Sequence, residues 1–449
     1  MDRRQFLTTV SAGAFASSFD SLAWAQTAPG NDYKALVCIF LFGGNDGNNM
    51  VIPAENAAYN QYASIRTVAS GLNIAQADLI KFKVGSMTEA LGLNPNMKNL
   101  RGIAEAGKLA VLGNVGTMIA PVTKAEYLAY KNRPDNLFSH NDQQNQWQAA
   151  ISDDASRIGW GGRLADAIAP LNGSATFPVT TSVAGSPLYI TGNAQGALTI
   201  PSTGTFQLNG YDTSVAKQAR LTALNQLLAL NKEHALMKTA GDQIQQAVAL
   251  AGMVNPIITN TASPMTPLFT TAGNSLAVQL LQVAKLIEAR ATIGLKRQIF
   301  FVSLGGFDTH TNQITAQGDL LADVADAMKS FYDATVALGV ANNVTTFTLS
   351  DFGRTFKPAA GGSPGSDHAW GNHHLIMGGA VKGGLYGRMP VHELSGPDDV
   401  AREGRWLPNV SVDQYAATLA SWFGVPTTQL AQVAPNIGKF ANPNLGFLA

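Results

Sequence analysis

The sequence predicts an α/β three-layer sandwich: a mostly parallel central sheet covered by helices, with a helical insertion. Three observations carry this reading. Apolar runs of strand length are continuous and do not alternate with polar residues, which implies burial on both faces of a sheet. Amphipathic helical patterns fall between those runs. Several runs also end in Gly-rich polar turns, the punctuation that strand ends require. With 449 residues, 46% of them hydrophobic, the chain is long enough to bury one large core.

Taken in order, Arg3-Arg4-Gln5-Phe6-Leu7 is a twin-arginine pattern, followed by an Ala/Ser/Gly-rich apolar run and by Ala23-Trp24-Ala25. The small residues stand where a signal peptidase reads. Residues 1–25 are therefore expected to be a Tat export signal, and the protein to be periplasmic or secreted. The remainder, 26–449, reads as one domain. "ALVCIFLFGGND" (35–46) is a buried strand running into a loop. "ENAAYNQYASI" and "MKNLRGIAEAGK" read as helices, the second leading into the strand "KLAVLGNVG" (108–116). Residues 214–252 are rich in Ala, Leu and Gln and predict the insertion, a helix or helix pair. "NPIITNTASPMTP" (255–267) reads as a loop returning to the core. Helical patterns over 276–294 and 318–340 lead into the strands of "RQIFFVSLGGFDTH" (297–310) and "NVTTFTLSDFGRT" (343–355).

Composition excludes some function classes. Thirty basic residues balance thirty acidic ones, so there is no electrostatic footprint for nucleic acid or an anionic membrane. No apolar run after the signal reaches the roughly 20 residues that span a bilayer. Cys38 is the only cysteine; it can form no disulfide within the chain and reads as a buried structural thiol.

Ligands of open α/β sheets bind beyond the carboxyl ends of the strands, and polar residues recur there. Asn45 and Asp46 follow the first strand, Asp308 and His310 the third, and Asp351 and Arg354 the fourth. "SDHAWGNHH" (366–374) follows closely and holds three of the seven histidines. One such loop reads as an ordinary turn or helix cap; four at one sheet edge would gather costly carboxylates that need a metal or arginine. Carboxylates with imidazoles suit Zn, Mn or Fe, whereas an all-oxygen set suits Mg or Ca. Ser139 and His140 stand at the expected start of a helix, where free N–H groups favour an anionic ester. Ser139 reads there as a candidate nucleophile, and equally as an N-cap, with Asp142 three positions on.

The segments "LFGGNDGNNMVIP", "SHNDQQNQW", "GWGGRLAD", "GGFDTH", "SDFGRT", "SDHAWGNHHLIMGGAVKGGLYG" and "SVDQYAATLASWFGV" together resemble the bacterial domain-of-unknown-function 1501 family of Tat-exported proteins. That family is itself similar to the alkaline phosphatase and sulfatase superfamily, whose α/β core carries a two-metal site. The resemblance implies metal ligation by Asp46, Asp308, His310, Asp351 and His368. Phe352 stands where that superfamily has a second imidazole, which removes one ligand; Asp367 or His373 are the candidate replacements. The residues are compatible with two divalent ions, one or none, drawn from Zn, Mn, Mg and Ca.

Two functions are expected on this basis. The first is a metal-dependent hydrolase of phosphate or sulfate esters, acting on a small anionic ester or a polymer. Ser139 and Arg354 would be catalytic, and Asn45, His140 and His373 would contact substrate. The alternative is a non-catalytic periplasmic binding protein on a degenerate hydrolase fold.

Overall fold

A computed structural model describes residues 32–206, 214–230, 235–359, 361 and 363–449; the export signal expected over residues 1–25 lies outside them. The strands, in chain order, are β1 Lys34–Leu41, β2 Val51–Pro53, β3 Ile80–Phe82, β4 Leu91–Leu93, β5 Leu109–Gly116, β6 Thr180–Ser182, β7 Ala197–Thr199, β8 Arg297–Leu304, β9 Val344–Ser350, β10 Asn372–Gly378, β11 Gly384–Gly387 and β12 Val410–Ser411. The helices that matter below are α1 His140–Ala149, α2 Trp160–Ile168, α3 Val215–Leu230, α4 Ala235–Ile258, α5 Ser275–Glu288, α6 Gln313–Ala337 and α7 Val412–Phe423.

The protein is a mixed α/β sandwich around one large sheet. Its strand order is β11-β5-β10-β9-β1-β8-β6-β7, with β12 beside β5; β2, β4 and β3 form a small separate sheet. All pairings in the large sheet are parallel except those of β10, which runs antiparallel to both β5 and β9. The continuous apolar strands behave as expected: Ala35 to Leu41 of β1 are fully buried. Helices close over the sheet, with α5 against β8, α1 against β9, and α7 against β1 and β12.

The expected insertion is a pair of helices, α3 and α4. The loop expected from residue 255 begins later, because α4 continues to Ile258 with Pro256 inside it. Proline disrupts a helix interior by removing one backbone bond and crowding the preceding turn. Only two residues follow Pro256 in α4, so few helical bonds lie beyond it.

Candidate metal and active site

The site follows from strand register. Leu41 of β1 pairs with Leu304 of β8 and with Ser350 of β9, so three loops leave the sheet side by side at one edge. Because β10 is antiparallel, it starts at the edge where β9 finishes, and the segment before it, with His368, arrives there too. An isolated antiparallel bridge joins Arg354 to His368. Gly43 and Gly44 take positive φ angles of 113° and 80°, where a side chain is strained. A Cβ on Gly43 would collide with the Asp308 backbone, and one on Gly44 with the Phe352 ring. The first loop can lie against the other two only because it begins with glycines.

Asp308 is the centre. Its Oδ1 lies 3.0 Å from His310 Nε2, 3.3 Å from His368 Nε2 and 3.0 Å from Arg354 Nη1. Its Oδ2 lies 3.6 Å from His140 Nε2. The Nε2 atoms of His310 and His368 are 3.1 Å apart. Donors of a tetrahedral ion with bonds of about 2.0–2.1 Å sit about 3.3 Å from one another, so these separations match a shared cation. The mouth is open, with the Asp308 and His310 side chains 45% and 47% exposed.

Hydrogen bonds behind two of the rings set their tautomers. His368 Nδ1 lies 2.8 Å from the Phe138 carbonyl oxygen, which can only accept, so Nδ1 carries the proton. Burial pushes the His368 pKa down, against the carbonyl's pull, and Arg354 and His140 add to the fall. In the neutral ring Nε2 then presents a lone pair to a carboxylate. His140 is held the same way: its Nδ1 is 2.7 Å from Asp351 Oδ2, and its Nε2 faces Asp308. For Asp308, burial raises the pKa, but the Arg354 hydrogen bond and charge, with His310 and His140, hold it below the ordinary carboxylate range. Converging lone pairs, each fixed by an acceptor behind the ring, are the arrangement by which proteins orient metal ligands.

The expected residues divide into those this cluster contains and those it does not. Asp308, His310 and His368 meet in it, joined by His140, which was expected to contact substrate. Asp351 lies behind His140, on the side away from Asp308. It is fully buried, its Oδ1 accepts from the Gly43 N–H (3.1 Å), and its Oδ2 accepts from His140 and from Gln144 Nε2 (2.8 Å). Asp46 lies outside the cluster: it pairs with buried Arg66 at 2.5 Å, accepts from Gln313, and caps the turn at Asn48. A fully buried guanidinium demands a carboxylate, and Arg66 takes this one. Arg354 is buried and donates to Ser366, to the Gly43 carbonyl and to Asp308, so its donors are taken by the scaffold and by the cluster's own carboxylate. Asn45 is buried and accepts from Gln317. His373 lies in β10, 1% exposed, with Nδ1 accepting from the Asn114 N–H, so both residues are buried. Ser139 caps α1, accepting from the Asp142 N–H at 3.5 Å.

Sequence reasoning missed Gln144 and the Phe138 carbonyl. Gln144 had a signal: four positions after His140 on a helix, it shares its face. The carbonyl had none.

The donor groups of His140, Asp308 and His368 fall within 4.8 Å of one another, and so do those of His310, Asp367 and His368. Both need His368, whose Nδ1 is committed to Phe138, so its one free nitrogen serves one ion. Phe352 is buried and stacks on the His368 ring at 4.5 Å, contributing no donor.

The chain shows faint likeness to solved structures. The lipoteichoic acid synthase LtaP from Listeria monocytogenes is 8% identical over 88% of this chain and 72% of its own, with a TM-score of 0.32. Alkaline phosphatase from the Antarctic bacterium TAB5 is 10% identical over 79% of this chain and 94% of its own, at 0.30. A Bacteroides thetaiotaomicron protein described with the metabolism of multiple glycosaminoglycans is 10% identical over 92% and 83%, at 0.37. No curated protein matches in sequence. Residues 33–431 match the family described as a protein of unknown function, DUF1501, and with nearly the whole described chain inside that match, the protein belongs to the DUF1501 family.

Proposed function

We infer that the protein is an exported hydrolase that binds one divalent metal ion and cleaves phosphate or sulfate esters. The observation that carries this is the convergence of His140, His310 and His368 Nε2 on Asp308, with His140 and His368 held from behind. Two imidazoles and one carboxylate suit Zn or Mn better than Mg or Ca. When bound, such an ion supplies Lewis acidity toward an oxygen on phosphorus or sulfur. The chain's own residues do the rest: Asp351 and Gln144 fix the His140 tautomer, Arg354 fixes Asp308, and Ser139 offers a hydroxyl one residue from His140. Among the described residues no helix is long and apolar enough to cross a membrane, which agrees with a protein anchored by no such helix there.

Purified protein should carry about one ion per chain and turn over aryl phosphates or sulfates until a chelator is added. Ser139→Ala should abolish turnover if the hydroxyl attacks, and leave it nearly intact if Ser139 only caps α1. A metal-free, inactive protein would favour the second reading, a binding protein on a degenerate hydrolase fold. That reading has its own support: Arg66 neutralises Asp46, and Phe352 fills a ligand position with a ring.

A further inference from the structure

The segment that delivers Phe138 and His140 to the site carries an arginine, Arg133, without a counter-charge among the described residues. Arg133 is half-buried, its guanidinium carbon 4.7 Å from the ring centre of Tyr127 and 5.0 Å from that of Tyr130. Among the described residues no carboxylate or carbonyl accepts from it. An arginine stacked on aromatic faces keeps its fork of N–H donors pre-organised and open at the edge. Arg405 is the contrast: it donates to the His368 carbonyl at 2.8 Å and meets Glu403 at 3.3 Å and Asp367 at 3.5 Å.

Two further observations point to a ligand. Tyr130 is 78% exposed, so the ring face away from Arg133 is bare. The segment is also held in costly backbone: Tyr130, Asn132 and Asn136 have φ of 59°, 50° and 52°. Asparagine tolerates this region, tyrosine rarely does, and such strain persists where surroundings impose it, often at ligand clamps. Packing links this segment to the candidate site: Tyr127 and Trp370, both buried, meet at 5.4 Å, and Arg405 lies over Phe138 at 4.4 Å.

We propose that Tyr130 and Arg133 form a subsite for an anionic oligosaccharide. Arg133 takes a sulfate, phosphate or carboxylate group on one sugar unit, and the open Tyr130 face carries that unit's ring while a neighbouring unit faces the Asp308 cluster. A charge-only ligand such as polyphosphate would use Arg133 and leave Tyr130 unexplained. The proposal deepens the hydrolase reading and rests on it for the reaction, though not for binding.

The test is titration calorimetry of the whole chain with heparin- and alginate-derived octasaccharides, and with polyphosphate of matched charge. At least one octasaccharide should bind more tightly than polyphosphate, Arg133→Gln should weaken it tenfold or more, and Tyr130→Ala several-fold. Tyr130→Ala should leave polyphosphate binding unchanged. Chelator-treated protein should still bind the octasaccharide, which separates failure of the metal reading from failure of this one. Absence of octasaccharide binding, equal binding of both polyanions with no Tyr130 effect, or a dimer that Tyr130→Ala dissociates would each overturn the proposal.

Discussion

Asp351 and Asp308 face opposite nitrogens of His140 and do different work, and one substitution separates them. In Asp351→Asn the Gly43 N–H still needs an acceptor, so the amide oxygen takes that position and the NH2 turns toward His140 Nδ1 and Gln144. His140 must then accept at Nδ1 and carry its proton on Nε2, where it can no longer ligate. Loss of such an outer partner typically costs about 10–100-fold in metal affinity. A zinc titration should show that loss for Asp351→Asn and near-complete loss for Asp308→Ala; equal, small effects would remove Asp351 from its orienting role. The sequence offers no way to tell Asp46 from Asp308, because both follow a strand and a Gly-Gly turn. The difference lies in Arg66, which claims Asp46 from twenty positions away, and in Arg354, which leaves Asp308 half open.

At the scale of elements, the first loop shows how tightly the edge is assembled. Gly44→Ala would place a methyl against Phe352 and force a side chain into a left-handed backbone. The expected cost is about 1–3 kcal/mol, read as a lower urea midpoint. Because Phe352 stacks on His368, bound metal should fall as well; a destabilised variant with full metal content would show that the stack does not position the ligand. Four core strands were legible from their apolar runs. The reversal of β10 was not, because "NHHLIMG" opens on polar residues that read as a loop. Each imidazole is paired at Nδ1 inside the sheet, where the Asn114 N–H donates to His373 and Thr348 bonds His374, while both Nε2 atoms are buried without a partner among the described residues. The partners come from other strands, so only topology reveals them.

For the whole molecule, buried titratable groups set two opposed pH trends. Burial pushes His373 down to about 4; burial, then the charge of its neighbour, pushes His374 to about 3; burial, then His373 and Arg66, pushes His392 to about 3. Unfolded, they titrate near the ordinary histidine value of about 6.5. Below that pH the unfolded chain takes up protons that the native one refuses, so stability falls from about pH 6.5 toward pH 3–4. Asp413, at the start of α7, runs the other way. Burial raises it to about 7, against the hydrogen bonds of Ser411 and Asn436, and the nearby Arg163 spends its donors on the carbonyls of Val433, Ile158 and Ala149. The folded state therefore holds a proton that the unfolded one has released, and this contribution, full below about pH 4, is lost as pH rises through 7. Asp413→Asn keeps an acceptor for the Asn436 N–H and can donate to Ser411 Oγ, without a charge to bury. Its melting temperature should match wild type near pH 4 and exceed it at pH 8, by an amount equivalent to on the order of 4 kcal/mol. Parallel melting curves across pH 4–8 would show that Asp413 ionises freely in the folded protein, and the alkaline side of the stability profile would then need another group.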